Sequence, residues 1–296
     1  MPLWLEIIFG IITAAAAIFG IISTIQSQKN KKDIANFYMQ KNNINISSSK
    51  TVNNGNSIVQ YGNTIINNWH ENISNIDRKA ENELKDTKVT SNLNECWLGD
   101  FFDNAKNCSD DFLQDMWAKI LANEIKHPNS TSKKTLNIMK YITKDDAVLF
   151  EKVLSYSFNG GVFKNDLLSQ KIKLDDILHL TDLGLINSRN DLTWKNEIQS
   201  LGQANFFAKE YVVIISNNTA STHYIDIPVY SFTSAGKEIS KVSNYLSDLS
   251  FLLSSICELK KQYNTLSFKC FKIIGKSENS FQIDNTKDLL ENDAHE

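Results

Sequence analysis

Two groups of aspartates, five histidines and four cysteines are the residues with which this 296-residue chain could do chemistry. Asp110, Asp111 and Asp115 form one group, and Asp145 and Asp146 the other. Carboxylates this close could hold a divalent cation or act as an acid–base pair. Each group also opens an amphipathic stretch, where a helix dipole favours negative charge without any catalysis. His70, His127, His179, His223 and His295 are scattered with no HExxH or other metal-ligand spacing. His179 stands beside Leu180 and reads as a core or boundary residue. Cys96, Cys108, Cys257 and Cys270 contain no CxxC pair, which argues for a reducing compartment and buried, inert thiols. Gly275-Lys276-Ser277 reads as the end of a phosphate-binding loop, but the glycine needed five residues earlier is Cys270. A nucleophile elbow and a glycine-rich dinucleotide loop are both absent. The expectation is a chain with no catalytic residues, no metal and no cofactor.

The elements around these residues say more. Hydrophobic content of 42% and charged content of 22% are globular values, while a net charge of -3 argues against nucleic acid as a partner. Leu3 to Gln26 is the strongest signal: no charged residue lies between Ile7 and Ile22, and as a helix the stretch reaches about 35 Å, enough to cross a bilayer core. A cleaved signal peptide would need a basic start, and here only Glu6 precedes the apolar run. A buried core helix is the other alternative. The expectation is a transmembrane helix over residues 1–27. Lys29, Lys31 and Lys32 follow it, so the N-terminus lies outside and the body in the cytoplasm, as a single-pass protein of a bacterial cell membrane. Gly10, Ala14 and Ala17, with Gly20 one turn after Ala16, supply small residues through which such helices approach one another.

Residues 28–90 read as a linker ending in a polar stalk helix. Within it, Gly55-Asn56-Ser57-Ile58-Val59 returns seven residues later as Gly62-Asn63-Thr64-Ile65-Ile66. Glycine punctuation and β-branched pairs favour extended structure, and short strands of this composition become stable when identical copies stack. Val59-Gln60-Tyr61-Gly62 resembles the core of the RIP homotypic interaction motif and its bacterial amyloid-signalling relatives. That resemblance implies self-association through Ile58, Val59, Gln60, Tyr61, Gly62, Ile65 and Ile66. An ordinary small β-element between copies and a plain spacer are the alternatives.

The body begins with three amphipathic helices. Ser109 is placed as the cap of the first, which carries Phe112, Met116, Trp117, Ile120 and Leu121 and stops at Pro128. Leu136, Ile138, Met139 and Ile142 mark the second, and Thr143 is placed as the cap of the third. The block Leu113 to Val153 is similar to that of an uncharacterised bacterial family, domain of unknown function 2806, and more loosely to the abortive-infection alpha proteins of phage defence. Leu183-Gly184-Leu185-Ile186 and Ala235-Gly236-Lys237-Glu238 extend the likeness. No catalytic residues come with it.

Further on, a helix with Leu174, Ile177 and Leu178, a Gly-Leu-Ile turn, strands and another helix together resemble a winged-helix module. Lys171, Lys173, Arg189, Lys195, Lys209, Lys237 and Lys241 are outweighed by Asp175, Asp176, Asp182, Asp191, Glu197, Glu210, Asp226 and Glu238, so DNA readout is not expected. The expected fold is mainly α with a smaller α+β part: the membrane helix, the linker, a helical domain over 91–160, a winged-helix-like domain over 161–277 and a flexible tail over 278–296. The expected function is a membrane-anchored, self-associating protein of the antiphage type that meets membrane lipids and a phage-derived or host protein trigger, with membrane permeabilisation as its output. A membrane-tethered adaptor or regulator is the alternative.

Overall fold

The computed structural model describes residues 56–84, 93–189, 192–276, 280–284 and 287–292, so the expected membrane helix and its packing residues Gly10, Ala14, Ala17 and Gly20 lie outside them. Among the described residues no helix is long and apolar enough to cross a membrane. The chain divides into two compact units, Met1–Lys144 and Asp145–Glu296.

Unit one is helical: α1 (Asn56–Leu84), α2 (Glu95–Ala105), α3 (Asp111–Lys126) and α4 (Lys133–Tyr141). The expected extended repeat is corrected here, because residues 58–66 have helical backbone. Seven residues are almost two turns at 3.6 per turn, so a seven-residue repeat is also a helical period, and it places Ile58, Gly62 and Ile65 along one side of α1. The same period continues into Asn72, Ile76, Ala80 and Leu84, which are buried. The polar stalk expected from His70 to Thr90 is therefore, as far as Leu84, a packed helix lying along α3.

Caps explain where the helices of unit one begin. Asn94 accepts from the Trp97 N–H, Asp110 from the Leu113 N–H and Ser132 from the Thr135 N–H, each satisfying a donor left over by the first turn. The cap of α3 is thus Asp110 and not Ser109, whose neighbour has the stronger acceptor. Aromatic rings fill the centre. Trp97 stacks on Phe101 at 5.4 Å between centroids, and Phe101 meets the edge of Trp117 at 5.3 Å. Each such buried ring contributes roughly 1.5–3 kcal/mol.

Unit two opens with α5 (Lys144–Ser155), followed by β1 (Ser157–Phe158), β2 (Gly161–Phe163), α6 (Asp166–Lys171), α7 (Leu174–Asp182) and β3 (Ile186–Asn187). The β1–β2 hairpin turns through Asn159 and Gly160, both with positive φ (52° and 83°), which is the preferred Asn-Gly two-residue turn. Then come β4 (Thr193–Ile198), β5 (Gln203–Phe207), β6 (Tyr211–Asn217), β7 (His223–Phe232), α8 (Ser234–Val242), α9 (Leu249–Gln262), β8 (Leu266–Lys276), β9 (Phe281–Ile283) and α10 (Leu289–Asn292).

The long strand β7 is the spine of one sheet. Its last residues pair with β2 and with β3, and its first six with β4, all antiparallel. A second antiparallel sheet runs β5-β6-β8-β9. Alternation along β7 turns Ile225, Ile227 and Val229 into the core and leaves Tyr224 64% exposed. Helix α9 contributes Leu252, Leu253, Ile256 and Leu259 to the same core. Residues 280–284 and 287–292, expected as a flexible tail, instead supply β9 and α10. The Asp288 carboxylate accepts from the Cys270 N–H at 3.0 Å, and Leu290 is buried.

Candidate functional site

In unit one, α1 meets the turn between α2 and α3 in an open groove of about 680 Å³. From α1 come Asn68, Trp69, Glu71, Asn72 and Asn75; Asn107, Ser109 and Gln114 face them. The asparagines recur at i, i+4 and i+7, so they climb one side of α1 in steps of about 6 and 4.5 Å. Asn72 and Gln114 form the floor, 8% and 3% exposed. Asn72 donates to the Lys106 carbonyl at 2.9 Å. Gln114 donates to the Cys108 carbonyl at 2.8 Å and to Asn72 Oδ1 at 3.3 Å. The Trp69 indole N–H donates to Asn107 Oδ1 at 2.6 Å, and Lys106 Nζ lies 4.7 Å from the Trp69 ring centroid. The groove is thus lined by carboxamides, a hydroxyl, one aromatic ring and the carboxylate of Glu71.

Next to it, the expected carboxylate group is resolved as structure. Asp110 caps α3, while Asp111 and Asp115 both accept from Lys79 of α1, at 2.7 and 2.5 Å. That hydrogen bond and charge hold the Asp111 carboxyl below its usual range. In unit two, Asp146 meets His179 Nε2 at 2.5 Å, which ties α5 to α7. Among the described residues no group of three or more histidines, cysteines or acids is placed to hold a metal ion.

Two buried acids stand out that residue types alone did not mark. Glu124 is 3% exposed, and its carboxylate accepts from the Asn129 N–H (2.6 Å), the Ser130 hydroxyl (3.0 Å) and the Thr131 N–H (2.9 Å). Trp97 closes the same loop from the other side by donating its indole N–H to the Thr131 carbonyl at 2.7 Å. Asp77 of α1, also 3% exposed, has no partner for Oδ1 among the described residues, and burial together with the charge of Glu81 pushes its carboxyl up to about 8.

The tryptophan, the acid and the Pro-Asn-Ser-Thr loop are one latch, and they sit inside the block whose likeness was noted from sequence. Residues 63–170 match a family model described as a protein of unknown function, DUF2806. The DUF2806 segment covers α1 from Asn63, all of α2 to α5 and most of α6, and so contains the groove, the Lys79 clamp and the Glu124 latch. A search of curated proteins and a search of solved structures each found no match.

Beyond the DUF2806 segment, the two stretches that extended the likeness touch each other. Gly184, with φ 79°, ends α7, and the Leu185 N–H returns to the Leu180 carbonyl at 3.0 Å. Thr233 caps α8 and donates its hydroxyl to the Gly184 carbonyl at 2.6 Å. A Cβ on Gly236 would come within 2.1 Å of the Leu185 carbonyl oxygen, so glycine is required where α8 lies on this turn. Of the apolar residues by which α7 was expected, Leu174 and Leu178 are 61% and 46% exposed, while Ile177 faces inward with Leu180. The thiols divide as well: Cys108 and Cys270 are pushed up to about 11 and 12 by burial, but Cys96 is exposed.

Residues 58–62, 65 and 66, expected as a self-association element, have helical backbone in α1, upstream of the groove. Composition places Asn68 in the linker and Asn72 and Asn75 in the polar stalk, which hides the asparagines that α1 gives the groove. Their i, i+4, i+7 spacing was the signal available.

Proposed function

We propose that this chain is a membrane-anchored, self-associating protein of the abortive-infection type, whose body works through contacts with other macromolecules. One observation carries the reading. The seven-residue repeat lies in a continuous helix, and its period runs on into the face that α1 buries against α3. The upstream turns of α1 therefore offer the same side, with Ile58 and Ile65 on it, to a second copy, as helices with a seven-residue apolar period pair with one another. Association through α1 would gather the Leu3 to Ile25 spans, whose small residues Gly10, Ala14, Ala17 and Gly20 suit close approach. Gathered spans permeabilise the membrane and end the infected cell.

The second unit supports the contact role in a different way. Its order β2-α6-α7-β3-β7, with β7 between β2 and β3, supports the winged-helix reading. The outward side of α7 carries Leu174 and Leu178 among Asp175, Asp176 and Asp182. Acidic and apolar, that side repels phosphate and suits protein, which favours the adaptor as the second reading.

The test is uptake of a membrane-impermeant dye by cells expressing the full chain, with and without phage. Uptake by wild type that is lost in an equally expressed Ile58→Asp/Ile65→Asp variant supports the effector. Absence of uptake under every challenge removes permeabilisation and leaves the adaptor.

A further inference from the structure

We propose that the carboxamide groove of unit one holds an extended polypeptide segment of a partner protein and reads it through its backbone. The inference gives the contact role proposed above a site, and it stands on geometry that self-association does not use.

The groove's own hydrogen bonds leave defined groups over. Among the described residues Gln114 Oε1 accepts no hydrogen bond, although the residue is 3% exposed and lines the groove. Among the described residues Asn107 uses its oxygen alone, toward the Trp69 indole. Asn75 and Ser109 line the groove with side chains that make no hydrogen bond within the described residues. What remains is a neutral, mixed set of donors and acceptors, since each free carboxamide offers both. Phosphate or carboxylate would find no cation there: Lys106 lies over the Trp69 ring and pairs with Asp103 at 3.3 Å, and Glu71 puts negative charge on the lining.

An extended backbone is the complementary chemistry. It is neutral, alternates N–H with C=O, and repeats about every 6.8 Å for two residues. Asn68 and Asn75 stand seven residues, about 10.5 Å, apart along α1, close to the roughly 10 Å that three extended residues span, with Asn72 as the buried floor between them. A groove of about 680 Å³ lies within the usual range of ligand clefts, roughly 300–1,000 Å³. Glu71, the one charged side chain among the described residues of the lining, favours a lysine or arginine on the segment, whose charge meets the carboxylate.

The experiment uses the full chain in detergent micelles with tryptophan indoles labelled with ¹⁵N. Five indole signals are expected, and Trp69→Phe assigns one of them. The probes are an acetylated and amidated hexapeptide of alternating alanine and lysine, the same peptide with alternate backbone nitrogens methylated, and uridine. The proposal expects a saturable shift of the Trp69 signal with the first peptide while Trp117 and Trp194 stay still. Methylation should weaken binding about tenfold, and Asn75→Ala about three- to tenfold, as the loss of one or two hydrogen bonds predicts. A silent Trp69 signal at millimolar peptide overturns it. So does equal binding of the methylated peptide, which would mean charge attraction alone. Tighter binding of uridine than of either peptide would make the groove a base site and overturn it also. Peptide binding by a chain that stays monomeric would keep the groove and remove the self-association reading, so the two fail separately.

Discussion

Replacing Glu124 by alanine should loosen the DUF2806 segment from within. The carboxylate accepts three hydrogen bonds from one five-residue loop, and Thr131, which supplies one donor, is 4% exposed. Removing a charged acceptor costs about 1.5–3 kcal/mol per buried bond, and a stranded buried N–H adds its desolvation penalty. Asn129 is exposed and can turn to water, and Ser130 still accepts from Asn123 Nδ2 at 2.8 Å. The loss therefore centres on Thr131 and should total about 3–5 kcal/mol, out of a stability of about 5–15 kcal/mol typical of domains. For a domain of this size that is a fall in Tm on the order of 10 °C. Glu124→Gln keeps the shape but turns an amide NH₂ toward one of the donors, and should cost about 1–2 kcal/mol. Urea unfolding of the full chain in detergent, followed by the fluorescence of the buried tryptophans, measures both. Because Trp97 holds the carbonyl of the same Thr131, a double-mutant cycle of Glu124→Ala with Trp97→Phe should show coupling of at least about 0.5 kcal/mol. A loss below about 1 kcal/mol for Glu124→Ala, or strict additivity, would refute the latch.

Other consequences can be checked alongside. Gly236→Ala drives a methyl to 2.1 Å from the Leu185 carbonyl oxygen, so it should cost about 3 kcal/mol or more, whereas Gly202→Ala, facing a contact at 3.0 Å, should cost less; thermal unfolding of both variants decides. Asp77 is protonated in the fold up to about pH 8 but ionises near 4 once unfolded, so the native state holds the extra proton between those values and wild-type stability falls as pH rises through that window. Asp77→Asn removes the effect, and its advantage over wild type should grow by about 1 kcal/mol per pH unit from pH 4 to 8; an advantage that does not change with pH contradicts this. Maleimide should modify Cys96 first and Cys270 last in the folded chain, with all four thiols equal in urea.

Which of these features were legible follows from what each depends on. Apolar periodicity and helix stops depend on neighbours in sequence, so α3 to α5 and α8 could be read directly, down to the Lys126-His127-Pro128 ending of α3. The Asn159-Gly160 turn and the Asn94-capped helix α2 are equally local signals that the expected elements leave out. The seven-residue repeat was ambiguous for a physical reason: isoleucine and valine pairs suit strands, but seven residues also close two helical turns. Packing of 71–84 along α3 decides for the helix. Leu174 and Leu178 could not be sorted from Ile177 and Leu180 by type, since only tertiary packing chooses which face of α7 turns inward. Glu124 depends on a loop's own geometry and Asp77 on burial by tertiary packing, while the carboxamide groove is closed by contacts 34 to 42 residues apart, of which the sequence shows only the asparagine spacing on α1.

The claim that matters most is that copies of this chain associate through the repeat in α1. Its direct test is the protein mass of the purified full chain in detergent by light scattering, wild type beside Ile58→Asp/Ile65→Asp. The account predicts a multiple of 33.6 kDa for wild type and a single chain for the variant. A wild-type mass of one chain, or an oligomer that the two aspartates leave intact, would contradict it.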